Sequence, residues 1–425
     1  MKKINVGIIG LGTIGTGVYK ILKERKSKIK KLYNIDINIK KTCDISESRK
    51  KNLKIPSKDF TKDYRDITRD EDINIVVELI GGTTLAYSIC KDAIKNGKHI
   101  VTANKALLAS KNKELQKLSD QNKVNIGYEA SVGGGIPIIN SIKDSLLINR
   151  VTSFWGILNG TCNYILTLMS KGIDFSKALK MAQNEGFAEA DPTLDINGKD
   201  TAHKVSVLSQ TCFNINLDIE KIFTQGIERI TSYDIDVANN LGYEIKLLGI
   251  SRIINSKLDA RVHPTLISKD NPLSNVKNEF NAILVNSDNL GPFMAYGYGA
   301  GMMPTASAIV SDIVRISDSY KIEYLQSELK IKLNKFEDIK SKFYLRISIK
   351  DEPGNLGKVT SILGKYKINI DKVIQNNEGS KSKIMPVILL TKSLELKMLN
   401  KAINVISRNK LIRGEPLIIP VEDLA

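Results

Sequence analysis

Three features of the 425-residue sequence predict an α/β protein of three domains. A glycine-rich turn, Gly10-Leu11-Gly12-Thr13-Ile14-Gly15, joins a short apolar run to a helical stretch. Strand-like and helix-like segments then alternate as far as residue 130, the pattern of a doubly wound parallel sheet. From residue 342 to 420 the order reads βαββαβ, that of a ferredoxin-like module.

The first domain begins with a buried-strand run at 4–9 and a helix at 16–26. Gly10 permits the tight turn, Gly12 lets backbone approach a pyrophosphate, and Gly15 lets helix and strand pack closely. The helix amino terminus adds N–H groups and a partial positive charge for the phosphates. A GxGxxG in this setting is a dinucleotide fingerprint, whereas outside it the same glycines read as a flexible turn. Residues 1–130 are therefore expected to form a Rossmann-type NAD(P)-binding domain, with Gly10, Leu11, Gly12, Thr13, Ile14 and Gly15 at the cofactor. Residues 35–43 give the second strand, closed by Asp44. An acidic group there holds a ribose 2′-hydroxyl and repels a 2′-phosphate, which favours NAD. Asp44 lies 34 residues after Gly10 and precedes Arg49, Lys50 and Lys51, so NADP stays open.

Strands follow at 74–80, 99–102 and 124–128, with helices at 84–96 and 106–121. Their carboxyl ends carry Gly81-Gly82, Thr102-Ala103-Asn104-Lys105 and Glu129 onward, where ligands of such sheets bind. Gly81 and Thr102 are expected at the cofactor and Lys105 near its reactive end, although a surface lysine opening a helix looks the same in sequence. Glu129-Ala130-Ser131-Val132-Gly133-Gly134-Gly135-Ile136 then bares backbone carbonyls beside a carboxylate. That oxygen-rich set suits a hard cation, and it equally suits a hinge.

The second domain, 131–300, opens with a strand at 151–159. It ends in Asn159-Gly160-Thr161-Cys162-Asn163-Tyr164, the start of another helix. Cys162, with no histidine paired to it, reads as a packing residue rather than a nucleophile. Helices are predicted at 174–184, 199–212 and 218–230, and strands at 243–254, 258–267, 282–286 and 293–298. A sheet with helices on one face suits substrate binding and dimer formation. Gly301 and a helix at 306–316 are expected to return to the nucleotide domain, completing it with residues 301–318. Residues 319–341 read as a charged linker with some helix, and 342–420 as an independent unit.

Chemistry concentrates between Gly186 and Lys204. A turn-rich loop holding Glu189, Asp191 and Asp195 leads into a helix on which Asp200 and Lys204 share one face. Carboxylates hold a substrate ammonium, and a held lysine gives a proton to an oxygen. The bland alternative is an exposed i,i+4 ion pair beside a polar loop.

Composition bounds what remains. Hydrophobic residues make up 42% and charged residues 26%, as in an ordinary soluble chain. The net charge of +17 comes from lysines spread along the whole sequence, with no basic stripe interleaved with aromatics. That argues against nucleic acid and for anionic ligands. Four scattered cysteines without a CxxC pair fit a reducing cytoplasm and argue against structural zinc. Glycines interrupt the apolar amino terminus, so it is not a signal peptide, and no run approaches the roughly 18 residues of a membrane span.

GLGTIG, TANK (102–105), YEASVGGGIP, GILNGTCNYIL and AEADPTLDINGKDTAHK together resemble the homoserine dehydrogenase family along the full length of the chain. The resemblance includes the carboxyl-terminal ACT domain of the monofunctional enzymes. It implies NAD(P)H-dependent reduction of L-aspartate 4-semialdehyde to L-homoserine, on the route to threonine, isoleucine and methionine. Lys204 would act as the acid–base lysine, and Lys105 would sit near nicotinamide, substrate or both. Glu189, Asp200 and backbone at Gly186 would hold the amino acid end. A monovalent cation, sodium or potassium, would lie at Glu129 and the backbone of Val132, Gly134 and Ile136, with Gly301 touching the cofactor. No aspartate kinase segment precedes Met1, which predicts a single activity.

The ACT resemblance implies pairing into a homodimer or homotetramer. It also implies a small amino acid effector at the loop Asp351, Gly354, Asn355 and Leu356; because homoserine leads to threonine, threonine is the expected effector, with an inert dimerisation module as the alternative. Asn355 stands where the commoner ACT form has a small apolar residue, which bears on the effector more than on the fold. Two other classes are a different nicotinamide-dependent reductase and a non-catalytic sensor. The AEADP…AHK stretch opposes the first, and the second needs neither Lys105 nor Lys204.

Overall fold

The computed structural model describes residues 1–318, 331–375 and 384–423, and the chain divides into two compact units. The first comprises the described residues of Met1–Gly160, Asp200–Ile222 and Glu279–Lys330. The second comprises those of Thr161–Lys199, Phe223–Asn278 and Ile331–Ala425.

In the first unit six parallel strands form one sheet: β1 (Lys2–Ile9), β2 (Ile35–Cys43), β3 (Phe60–Thr61), β4 (Ile75–Glu78), β5 (His99–Thr102) and β6 (Ile126–Gly127). Their order is β3-β2-β1-β4-β5-β6, so the winding reverses between β1 and β4. Ligands of such sheets bind in the crevice at that reversal, outside the carboxyl ends. Both faces are covered, which is why the strands read as continuous apolar runs. Ile4, Val6 and Ile8 pack with Val18, Tyr19 and Leu22 of the helix Thr13–Glu24 and with Ile309 and Ile313 of the helix Met302–Ser317. Ile9, Val76 and Ile100 face the opposite cluster, with Ile89, Leu107 and Leu115. The second helix starts at Met302 rather than 306, because Pro304 is tolerated in a first turn whose N–H groups lack partners anyway. A separate antiparallel ladder pairs Phe280–Ser287 with Val151–Ile157 on one side and Gly291–Tyr298 on the other.

In the second unit Tyr243–Ile254 and Lys257–Ser268 form a long hairpin. Its turn, Asn255-Ser256, takes left-handed φ at both residues, as a two-residue turn between twisted strands requires. The ACT-type module contributes Lys340–Lys350, flanked by Ile384–Thr391 and Ile412–Glu422, with Ile370–Gln375 at the edge. Helices Asn355–Lys365 and Leu396–Arg408 close its own core around Phe343, Leu345, Val359, Leu363, Leu399 and Ile406.

This module is joined to the hairpin as well as following it in sequence. Leu266 and Ile267 pair in parallel with Val421 and Glu422 at the end of the last strand. Lys332–Leu333 pairs with Lys257 and Leu258, and Phe336 stacks on Phe223 with ring centroids 3.5 Å apart. The described part of the charged segment 319–341 is therefore packed, while residues 319–330 lie outside the described residues.

The helix expected at 218–230 does not form. Ile219–Lys221 is a single 3-10 turn, and Phe223–Thr224 is a short strand beside Arg261 and Val262. Gly226 lies so close to Ile196 that a Cβ would sit 2.0 Å from its carbonyl oxygen, an approach a helix does not make. The helix lies further on, at Ser232–Asn240, opened by a capping box between Thr231 and Asp234.

A buried ion network ties the module to the hairpin. Arg261, 1% exposed, donates to Asp259 at 2.7 Å and to Glu422. Arg252 reaches the same two carboxylates at 3.0 and 3.1 Å. Removing one partner of a buried pair leaves an uncompensated charge, which costs about 3 kcal/mol or more. Glu422→Ala is therefore expected to lower the thermal unfolding midpoint well below that of an exposed control such as Glu415→Ala, as checked by calorimetry.

Candidate active site

Asp200 occupies the first turn of the helix Lys199–Phe213 and is 6% exposed. Its Oδ1 lies 2.7 Å from Lys105 Nζ and its Oδ2 lies 2.8 Å from Lys204 Nζ. Asn159 Nδ2 donates to Oδ2 at 2.9 Å, and Lys204 Nζ also donates to the Leu158 carbonyl at 2.6 Å. Burial pushes the Asp200 carboxyl up, but the Lys204 and Lys105 ammonium groups outweigh it and hold it well below the usual range. Lys105 opens the helix Lys105–Asn122 behind the cap Asn104, whose Oδ1 accepts from Leu107 N at 3.0 Å. The Asn104 amide also donates to the Gly82 carbonyl at 2.6 Å, and Thr102 Oγ1 donates to buried Glu78 at 2.7 Å. Lysines from two helices thus converge on one buried carboxylate, giving a cluster of net charge +1 suited to an anionic oxygen.

The nucleotide loop has the geometry its glycines predict. Gly10 has φ +97, and a Cβ there would meet the Leu79 carbonyl at 2.6 Å. At Gly15 a Cβ would stand 1.9 Å from the Gly10 oxygen. The N–H groups of Thr13, Ile14 and Gly15 lie in the first turn and have no intrahelical acceptors, and no side chain caps this helix start. Asp44 is buried and accepts from Leu11 N at 2.6 Å and Ser46 N at 2.8 Å. Arg49 donates to it at 3.0 Å. Burial raises its carboxyl, but those two N–H groups and the guanidinium more than offset this, leaving it below its ordinary value. Exposed Gly81 follows β4, and Gly301, with φ +113, caps the helix Met302–Ser317.

Glu129 is 2% exposed and accepts from Ile139 N at 2.8 Å and Asn140 N at 2.7 Å. Its own N–H donates to Asp312 Oδ2 at 2.8 Å. Burial, and then the nearness of Asp312, push the Glu129 carboxyl up to about 7. The carbonyl-bearing run beside it includes buried Val132 and Ile136, with Gly134 in the left-handed region.

Gly186 and Glu189 belong to the second unit. Gly186, with φ +77, terminates the helix Phe175–Asn184, and Glu189 is exposed. Nearby, Thr161 Oγ1 donates to the Phe187 carbonyl at 2.6 Å, and Cys162 is fully buried. In the ACT-type module, Gly354 has φ +88 and caps the helix beginning at Asn355. Asp351 and Gly354 are exposed and Leu356 is half-buried; the Asn355 amide donates to Lys350 O at 3.3 Å and Glu352 at 3.2 Å.

Models of known families match in three blocks. Residues 10–129 match "Homoserine dehydrogenase, NAD binding domain", residues 137–314 match "Homoserine dehydrogenase", and residues 343–407 match "ACT domain". A homoserine dehydrogenase of Neisseria gonorrhoeae is 38% identical, with both chains fully covered. The chain belongs to the homoserine dehydrogenase family. The Pseudomonas aeruginosa relative is 39% identical over the whole of both chains. A crystal structure of a homoserine dehydrogenase from Thiobacillus denitrificans superposes with a TM-score of 0.92 at 38% identity, covering 100% of this chain and 99% of that one. A hyperthermophilic archaeal homoserine dehydrogenase solved in complex with NADPH covers 75% of this chain and 99% of its own, at 26% identity and a TM-score of 0.65.

The chain is thus an NAD(P)-dependent oxidoreductase of homoserine dehydrogenase type with an ACT domain. No helix among the described residues is long and apolar enough to cross a membrane. Sequence reading missed Asn159, the Leu158 carbonyl, Arg49 as a partner of Asp44, and Asp312. The last is the sole acidic residue in the run AIVSDIV, and that isolation on an apolar helix was its only signal.

Proposed function

We propose that the chain reduces L-aspartate 4-semialdehyde to L-homoserine in the cytoplasm, within threonine and methionine biosynthesis. The observation that carries this is the buried Asp200 carboxylate shared by Lys105 and Lys204. A nicotinamide nucleotide, held by the glycine loop at residues 10–15, would supply the hydride for the aldehyde carbon. Lys204 gives a proton to the resulting oxygen in reduction and takes it back in oxidation. Lys105 adds positive charge beside the same carboxylate, which favours the anionic oxygen over the neutral carbonyl. Asp200 is occupied by both lysines and by Asn159, so it serves the substrate mainly through the groups it orients. Exposed Glu189, with backbone at Gly186, offers the carboxylate for the substrate ammonium.

Gly10, Leu11, Gly12, Thr13, Ile14 and Gly15 would hold the pyrophosphate, with Gly81, Thr102, Lys105 and Gly301 along the rest of the cofactor. Asp44 and Arg49 form a pair at the ribose end of the crevice. The carboxylate suits a 2′-hydroxyl and the guanidinium a 2′-phosphate, so both NAD and NADP are expected to serve.

A monovalent cation, sodium or potassium, fits the Glu129 region. Two buried carboxylates lie together there, Glu129 N–H donating to Asp312, and burial raises the pKa of both; a bound cation would favour their charged forms, and each carbonyl oxygen has a lone pair beyond any N–H it accepts. Glu129 and the carbonyls of Val132, Gly134 and Ile136 would hold the ion.

The ACT-type module is proposed to bind threonine at Asp351, Gly354, Asn355 and Leu356. The uncapped helix start at Gly354 presents N–H groups to a carboxylate. Pairing of such modules fits a homodimer or homotetramer.

Purified protein given homoserine with NAD or NADP should reduce the nucleotide, read as nicotinamide absorbance. Lys204→Ala should lower turnover about a hundredfold or more while nucleotide affinity holds. A variant keeping a tenth of the rate removes Lys204 from the acid–base role.

The cation reading predicts a pH signature. The folded pKa of Glu129 is raised above the ordinary carboxylate value, so its stabilising contribution is complete below about pH 4.5 and is lost as pH rises through about 7. Sodium or potassium should therefore raise the thermal midpoint at pH 8 and change it little at pH 5. Glu129→Gln should abolish the difference between the two pH values.

Threonine added to the full chain should inhibit turnover, and Asn355→Ala should raise the concentration needed for half inhibition. Indifference of the unmodified protein to threonine rejects this effector.

A further inference from the structure

The turn after the strand Val151–Ile157 touches both partners of the buried ion pair. Leu158 offers its carbonyl to Lys204 Nζ at 2.6 Å, and Asn159, the next residue, offers its amide to Asp200 Oδ2 at 2.9 Å. Asn159 is 4% exposed, and Gly160 behind it has no room for a Cβ, which would lie 2.6 Å from the Glu279 carbonyl. The dipeptide is thus fixed in place by the end of the strand and the start of the next helix.

Oδ2 of Asp200 receives two donors, Lys204 Nζ at 2.8 Å and Asn159 Nδ2 at 2.9 Å, while Oδ1 receives Lys105 at 2.7 Å. The charged groups facing this carboxylate are therefore Lys105 from one helix and Lys204 from its own. A lysine ammonium has three N–H donors. Leu158 and Asp200 take two of them on Lys204, leaving one for an incoming oxygen.

We infer that Asn159 is a positioning residue for the acid–base pair. Its amide fixes the Asp200 carboxylate so that each oxygen faces one lysine, and it competes with Lys204 for Oδ2. This inference rests on the proposed role of Lys204. The competition has a direction. Removing the amide leaves Oδ2 wholly to Lys204, so the ammonium form gains and the neutral base needed to accept the homoserine hydroxyl proton becomes scarcer. Replacing the amide by a carboxylate adds a second negative group beside Lys204 and strengthens the effect. The contact that assigns Asn159 this role is the one its amide makes to Asp200 Oδ2, the oxygen that also holds Lys204.

The test uses the full chain with Asn159→Ala and Asn159→Asp. Homoserine oxidation is followed from pH 6 to 10, nucleotide binding is measured by fluorescence, and folding by thermal midpoint. The pH of half-plateau turnover should rise from wild type to Asn159→Ala and again to Asn159→Asp. Turnover at pH 8 should fall on the order of a hundredfold, as small misplacement of catalytic groups does, with nucleotide affinity unchanged. Equal half-plateau pH in all three proteins overturns the inference, as does a loss of turnover that follows only from lowered stability. A crystal structure of Asn159→Ala is expected to show the Asp200 carboxylate turned away from one lysine. If both contacts stay near 3 Å, Asn159 does not position the pair, whatever the activity. Wild-type protein inert towards homoserine rejects the proposed reaction instead, and the crystal structure still decides the role of Asn159.

Discussion

A carboxylate taken out of water is strongly unfavourable unless cations and hydrogen bonds replace its hydration. Asp200 meets that condition with two ammonium groups and one amide. The requirement sets much of the local structure. The helix Lys199–Phe213 must begin where Asp200 and Lys204 fall one turn apart, and the helix Lys105–Asn122 must begin at its lysine. The strand Val151–Ile157 must end where Leu158 and Asn159 meet both groups. Removing either lysine or the amide takes away part of what replaces the lost hydration of that carboxylate. In return the cluster carries one net positive charge beside the crevice end of a doubly wound sheet, and it needs little rearrangement when negative charge develops on a substrate oxygen.

What sequence reading recovered follows the range of the interactions. Asp200 and Lys204 are an i,i+4 pair, so their shared face was visible from spacing alone. Their contact with Lys105 spans most of a hundred residues and arises only from tertiary packing, so spacing carried no sign of it; the TANK motif pointed to Lys105 near nicotinamide or substrate, not to its contact with Asp200. The glycine loop was legible because Gly10 and Gly15 have no alternative residue that fits. Asp44 was placed correctly at the end of its strand, but not its bond to Leu11 N, which ties it to the turn it follows by more than thirty residues.

The misread segment has an equally local cause. Residues 218–230 carry a helix-like apolar spacing, yet Gly226 lies against Ile196, and Phe223 stacks on Phe336 from far along the chain. Tertiary contacts override a weak local preference of that kind. The neighbouring helix Ser232–Asn240 opens on a capping box between Thr231 and Asp234, a start signal carried by the sequence itself.

The ACT-type module shows why domain limits drawn from sequence differ from mechanical ones. Its core closes on itself, as an independent unit's would. Its last strand, however, extends past the module to pair with Leu266 and Ile267, and ends in Glu422 among two arginines of the hairpin. Tyr344 and Arg346 of its first strand both reach buried Asp234, the residue that closes the capping box of Ser232–Asn240. A module held by a ladder, a buried charge network and a shared carboxylate does not swing freely on a tether. The loop at Gly354 follows the strand that carries Tyr344 and Arg346. Cutting the chain before this module would do more than remove a regulator. It would strip Glu422 from Arg261 and Arg346 from Asp234, leaving charges buried by the fold without their partners. Loss of activity in such a truncation would therefore report on the stability of the hairpin as much as on control, and single substitutions in the Gly354 loop separate the two.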